Sequence, residues 1–116
     1  MQNSIQLSFI LIFIFMFASC HRNSIHIEDG ELGSKTNPVK CNGPSGEEEY
    51  LVSLRTEAGN EPVSFERLGN FEDPNSDKPL DGYKVTFGDS EMVIYFNMYH
   101  PDYVESRAIK GFKVKR

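Results

Sequence analysis

The chain has 116 residues, which is room for one small domain. Its 17 acidic and 12 basic side chains leave a net charge of −5. That balance argues against nucleic-acid binding, which needs clustered cations to displace counterions from phosphates. No internal repeat or long low-complexity tract is present, so solenoid and fibrous architectures are excluded.

Every acidic and basic side chain lies after Cys20. Residues 9–18 are an unbroken apolar run, Phe-Ile-Leu-Ile-Phe-Ile-Phe-Met-Phe-Ala. A helix needs roughly 20 apolar residues to cross a bilayer core, so this run is short for a span and fits the apolar region of a secretory signal. Small residues follow at Ala18 and Ser19, then Cys20. The stretch Phe17-Ala18-Ser19-Cys20 resembles the lipobox of bacterial lipoproteins. It departs from the usual pattern at Phe17, where Leu is common, and residues 1–6 carry no Lys or Arg. The resemblance implies that residues 1–19 are a signal peptide cut just before Cys20. It also implies that the Cys20 thiol carries a diacylglyceryl group, anchoring the chain to the membrane of the bacterial cell envelope. More than one acyl chain, at about 0.8 kcal/mol per buried CH₂, makes such attachment stable. His21 stands where an Asp would favour inner-membrane retention, so the resemblance points to the outer membrane. Cleavage after Ala18 without lipid, giving a secreted or periplasmic protein, and an uncleaved anchor are the alternatives. With a lipidated Cys20, Cys41 has no partner in the chain. Without lipid, a Cys20–Cys41 disulfide becomes possible in an oxidising compartment.

Residues 20–44 read as the lipidated Cys and a flexible tether, rich in Asn, Ser, Gly and Pro with no sustained period. Such a segment would have a reach of roughly 25–30 Å. A helix is expected from Ser45, which would cap it, with Glu47, Glu48 and Glu49 at the positive end of its dipole. Tyr50, Leu51 and Leu54 share one face, and Gly59 is the stop signal. Strands follow over residues 62–68, 81–87 and 91–99. Gly88-Asp89-Ser90 joins the last two as a hairpin, and residues 69–79 form a loop. Phe112 and Val114 alternate with Lys113 and Lys115 as a final edge strand. The expected fold is α+β: one N-terminal helix packed on a three- to four-stranded antiparallel sheet, spanning residues 45–116. Its core would be Tyr50, Leu51, Leu54, Val63, Phe65, Tyr83, Val85, Phe87, Ile94 and Phe96.

The strand Met92-Val93-Ile94-Tyr95-Phe96-Asn97-Met98-Tyr99 is apolar on both faces. One face suits the core. The other is either covered by the tether or the C-terminal segment, or is a partner surface anchored by Tyr95 and Tyr99. His100 and Tyr103 extend that candidate surface. Asp81, Asp102 and Glu105 near His100 form the one constellation that acid–base or metal chemistry could use, as in a small hydrolase. No second His stands at ligand spacing and no nucleophile motif accompanies it, so no catalytic residue, metal or cofactor is assigned. Residues 106–116 hold five basic and no acidic side chains, which reads as a solvated edge or as contact with anionic headgroups or an acidic partner.

Asn37-Pro38-Val39-Lys40-Cys41, Gly46-Glu47, Tyr50-Leu51, Asp81-Gly82-Tyr83 and Met98-Tyr99-His100-Pro101 together resemble a small family of bacterial proteins with no assigned function. Members carry further cysteines where this chain has Thr56 and Phe87, and the resemblance implies no activity. The reading that follows from the residues is a lipid-anchored, non-catalytic binding domain of the envelope. A hydrolase or metal-dependent enzyme, and a purely structural envelope lipoprotein, stand as its alternatives.

Overall fold

The computed structural model describes residues 22–116. Cys20 and the expected signal peptide lie outside them. Over the described residues the fold is α+β and mostly β, with one helix, a five-stranded sheet and a two-stranded sheet.

The sheet is built around β5 (Leu80–Phe87) and β6 (Ser90–Asn97), an antiparallel hairpin in which Tyr83 faces Ile94 and Val85 faces Met92. β4 (Ser64–Phe71) pairs antiparallel on the other side of β5. A bulge at Leu68 breaks its register, and Gly69 adopts φ +135° there, a conformation that favours glycine. The bulge reverses the alternation of faces. Arg67, before it, points to the core side with Phe65, opposite Tyr83, while Phe71, after it, points to the outer side, opposite Leu80.

The free edge of β6 is where the sequence reading needs correction. β6 is buried on its Met92, Ile94 and Phe96 face and half-buried on the other, so a bare edge would leave backbone groups without partners. β1 (Asn23–Ser24) and β2 (Val39–Lys40) cover it, both parallel to β6, at Ser90–Glu91 and Phe96–Asn97 respectively. Between them the Tyr95 N–H donates to the Gly33 carbonyl at 2.8 Å. The sheet is thus five-stranded and mixed, not a purely antiparallel one of three or four strands.

Residues 22–44 are a strap of the domain, not a loose tether. Val39 is fully buried and Cys41 nearly so. The polar residues that suggested looseness bond to one another. Thr36 Oγ1 donates to Asp29 Oδ1 at 2.8 Å and accepts from the Gly30 N–H, and Asn37 Nδ2 donates to the Gly30 carbonyl. Gly33, at φ +98°, passes so close to the core that a Cβ there would lie 2.7 Å from Ile109 Cδ1.

The helix, α1 (Gly43–Ser53), starts before Ser45 and ends well before Gly59, and it follows two strands instead of opening the domain. Pro44 in its first turn has no N–H to satisfy, and Asn42 is its N-cap. It stops at Ser53 because Leu54 turns extended and begins β3 (Leu54–Thr56). β3 pairs antiparallel with β7 (Phe112–Val114) as a separate small sheet, so β7 is not an edge of the main sheet. α1 and this small sheet form one layer and the core face of the main sheet the other. Tyr50, Leu51, Leu54, Tyr83, Val85, Ile94 and Phe96 are buried between them, with Val63, Phe65 and Phe87 partly buried at the margin. Val39, Cys41, Met92, Ile109 and Phe112 complete the core.

Candidate functional site

Glu47, Asp81 and Glu105 are buried inside the fold in two clusters, and each cluster is held differently. Glu47 lies on the buried stripe of α1 with Tyr50 and Leu51, one turn along. Its Oε1 accepts the Tyr83 hydroxyl at 3.1 Å, and its Oε2 has no hydrogen-bond partner if both nearby acids are ionised. The Asp81 carboxylate faces it from β5 and is itself gripped by Arg67 at 2.9 Å. Burial, then the Asp81 carboxylate, push the Glu47 carboxyl up to about 8. At neutral pH Glu47 therefore keeps its proton and donates it towards Asp81, which removes the orphan. Burial first, and then the Glu47 carboxyl, push the Tyr83 hydroxyl up to about 12. Cys41 lies close by, and burial followed by Glu47, Asp81 and Glu105 push its thiol up to about 12. A thiol so disfavoured as thiolate is not a nucleophile at neutral pH.

Glu105, also buried, belongs to a second cluster. Its two oxygens accept a bidentate pair from Arg107 at 2.9 and 3.0 Å, the Tyr103 hydroxyl at 3.3 Å and the Lys40 N–H at 3.4 Å. Burial opposes its charge, but the Arg107 bonds outweigh burial and hold the carboxyl below its ordinary range. The Tyr50 hydroxyl donates to the Arg107 carbonyl at 2.8 Å, so this cluster ties residues 105–109 to α1.

The constellation expected around His100 therefore divides. Asp81 is committed to Arg67 and Glu105 to Arg107. Among the described residues no side-chain hydrogen bond joins His100 or Asp102 to either acid. Asp102 is exposed at the turn, with φ +63°, and the half-buried His100 ring packs against Tyr103 at 6.2 Å. No group of three or more His, Cys, Asp or Glu able to hold a metal occurs among the described residues.

The four candidate partner residues also divide. Tyr95 points to the outer face of the sheet and is half-buried there. Its ring meets Phe71 edge-on at 5.3 Å across Gly82, and the Lys35 ammonium lies 5.3 Å from its centre. A Cβ at Gly82 would lie 2.5 Å from Phe71, so the glycine lets these rings cross β5. The strap thus covers much of this face. Beside it remains a groove of about 630 Å³, lined by Ile25, Ile27, Lys35, Lys84, Val93 and Tyr95 among others.

Tyr99, His100 and Tyr103 lie at the opposite end of the sheet from the β5–β6 turn. Tyr99 and Tyr103 are 37% and 40% exposed, and Val104 beside them 62%. Lys78 Nζ stands 4.6 Å above the Tyr99 ring. The Cys41 carbonyl accepts the His100 N–H at 3.2 Å, and the His100 carbonyl accepts the Tyr103 N–H, so backbone bonds fix the turn.

The buried acid pair was not expected from the sequence, where Glu47 reads as a solvated first-turn acid. Its position three and four residues before Tyr50 and Leu51, on the same stripe, is the signal that places it inside. No family model, curated protein or solved structure matches this chain.

Proposed function

We propose that this protein is a lipid-anchored, non-catalytic binding domain of the bacterial envelope. It is held by Cys20 and contacts a protein partner through the end of the sheet that carries Tyr99, His100, Tyr103 and Val104. The observation that carries the reading is the exposure of Tyr99, Tyr103 and Val104 around a backbone turn fixed by hydrogen bonds. Tyrosines held in this way offer an apolar ring and a polar tip with little ordering to lose on binding. The internal acids support the non-catalytic half of the reading. Asp81 and Glu105 are occupied by arginines, and Glu47 is enclosed. A photo-reactive amino acid at position 99 or 103 in the living cell should trap one envelope protein repeatedly, and the same group at the exposed position 66 should not. Equal, unselective trapping from both places would overturn the reading. Intact mass of the native protein, compared with Cys20→Ala, tests the anchor.

A second reading rests on the groove. Its volume is within the range of small-ligand sites, Ile25, Ile27 and Val93 give it apolar walls, and Lys35, Lys84, Asp29 and Glu91 give it charges of both signs. A small amphiphile fits that lining. Displacement of a bound fluorescent amphiphile, lost in Val93→Asp, would favour this reading over the first.

A further inference from the structure

β6 offers its edge to the strap at alternate residues. The Glu91 and Asn97 carbonyls accept the Ile25 and Cys41 N–H groups at 2.8 and 3.0 Å, and the Tyr95 N–H donates to the Gly33 carbonyl. Successive residues of a strand direct their backbone groups to opposite sides, so Val93 directs its N–H and C=O to the strap as well. The strap does not receive them. β1 pairs as far as Glu91 and β2 from Phe96 onward. Among the described residues no backbone hydrogen bond reaches Val93 on this side.

This gap is built by the packing of the strap. Ile27 leaves the edge to pack against the core, and the chain then turns, with the Glu31 N–H donating to the Glu28 carbonyl at 3.0 Å. The Thr36–Asp29 and Asn37–Gly30 bonds close that turn before Gly33 returns to Tyr95. The groove of about 630 Å³ opens where the strap steps away, and the half-buried Val93 lines it. Glu91 and Tyr95, two residues to either side, line it too. They are four residues of strand apart, roughly 13 Å. Lys84 stands opposite Val93 on β5 and reaches Glu66 at 3.9 Å, while Lys35 lies over the Tyr95 ring. With Asp29 and Glu91, these two cations leave the lining with no net charge.

We infer that the groove binds a short extended peptide whose backbone completes the interrupted edge of β6 at Val93. This rests on the reading of the groove as a small-ligand site. A donor and an acceptor on one strand residue are matched by a peptide backbone and are left unpaired by a hydrocarbon chain. Ile25, Ile27 and Val93 offer apolar contact to a side chain of the peptide. A lining with charges of both signs and no net charge suits a ligand that carries an ammonium at one end and a carboxylate at the other. Three residues are enough. Running antiparallel to β6, the central residue supplies both the N–H and the C=O. Running parallel, the first residue supplies the C=O and the third the N–H. Three extended residues span about 10 Å, which the interval from Glu91 to Tyr95 accommodates.

The test follows the Val93 amide by NMR in the full-length chain, isotope-labelled on valine nitrogen and carried in bilayer nanodiscs. Without ligand, the Val93 N–H should exchange with solvent at least about ten-fold faster than the Val85 N–H, which faces β6 inside the sheet. The peptide Ala-Val-Ala should shift the Val93 resonance in a saturating manner and slow its exchange several-fold, with Val52 and Val104 unmoved. The same peptide methylated on both internal nitrogens donates no backbone bond in either direction, and it should bind about ten-fold more weakly. Slow exchange at Val93 from the start would mean that the edge is already closed, and would overturn the inference. Equal binding of the two peptides would do so as well. If the fluorescent amphiphile moves the Val93 resonance and Ala-Val-Ala does not, the peptide is excluded and the groove remains a small-ligand site. If neither moves it, both readings fall.

Discussion

Glu47 on α1 and Asp81 on β5 meet across the helix–sheet interface as two carboxyl groups served by one arginine. Arg67 is spent on Asp81 at 2.9 Å, and Tyr83 donates to Glu47 Oε1 at 3.1 Å, which leaves Glu47 Oε2 without a donor unless a proton sits between the acids. Two ionised carboxylates in this place would combine burial with repulsion, so the shared proton is part of the packing of α1 on the sheet.

Stability should therefore depend on alkali. Glu47 is held at about 8 in the folded state against an ordinary 4.5. The folded state binds the extra proton across that interval. Its contribution is fully present below pH 4.5 and is lost as pH rises through about 8. The loss is of the order of a few kcal/mol. Thermal melts over this range should show a falling Tm. Glu47→Gln, whose amide donates to Asp81 and accepts from Tyr83 at any pH, should flatten the curve. Glu105 acts in the opposite sense. Its folded carboxyl is held low by Arg107, so its contribution is present above the ordinary carboxylate range and fades as pH falls through the lowered value. Arg107→Gln should weaken the protein mainly on the neutral side of that acid limb.

Cys41 should behave as a buried apolar residue and not as a reactive thiol. It is 3% exposed and its thiol is pushed up to about 12. A disulfide reagent at pH 8 should label it only as fast as the domain opens, and labelling should become rapid in denaturant. Labelling of the folded protein at the rate of a free thiol would contradict the packing.

The elements with a clear period were legible in the sequence. β5 and β6 stand within a residue or two of where alternation put them, and seven of the ten expected core residues are buried. What failed has physical causes. Residues 54–56 continue the helical stripe, but pairing with β7, 56 residues or more away in the chain, makes them a strand. Residues 22–44 have the composition of a linker because their turns need Gly, Asn, Thr and Ser. Their one fully buried apolar residue, Val39, sits between Pro38 and Lys40, and composition gives no sign that it lies at the edge of β6. Glu47 looked solvated because an acid near a helix start usually is.

Because the strap is structural, changing it should unfold the domain. Val39→Ala should cost about 1–3 kcal/mol, as removal of buried methyl groups does. Gly33→Ala should cost more than an ordinary loop substitution. Its backbone is at φ +98°, and its Cβ would meet Ile109 Cδ1 at 2.7 Å. Urea unfolding reads both. Changes within a few tenths of a kcal/mol would return residues 22–44 to the role of a tether.

Tyr95 and Tyr99 should separate in a way that tests which aromatic residues hold the fold and which meet a partner. Tyr95 is enclosed by Phe71, Gly82 and Lys35. Its replacement by Ser removes an edge-on ring contact worth about 0.5–1.5 kcal/mol together with the apolar area beneath it. The expected loss is about 2 kcal/mol of stability, and the Phe71 ring, left without its neighbour, should become mobile in aromatic NMR spectra. Tyr99 is 37% exposed and its ring meets the ammonium of Lys78. Tyr99→Ser should change stability by no more than about 0.5 kcal/mol, the usual range for a surface site. In the cell it should nevertheless weaken the crosslink formed from position 103, because that crosslink reads the partner and not the fold. If both substitutions destabilise alike, the end patch is part of the packing and the proposed contact surface is lost. If neither does, the outer face is looser than the Phe71–Tyr95 contact requires.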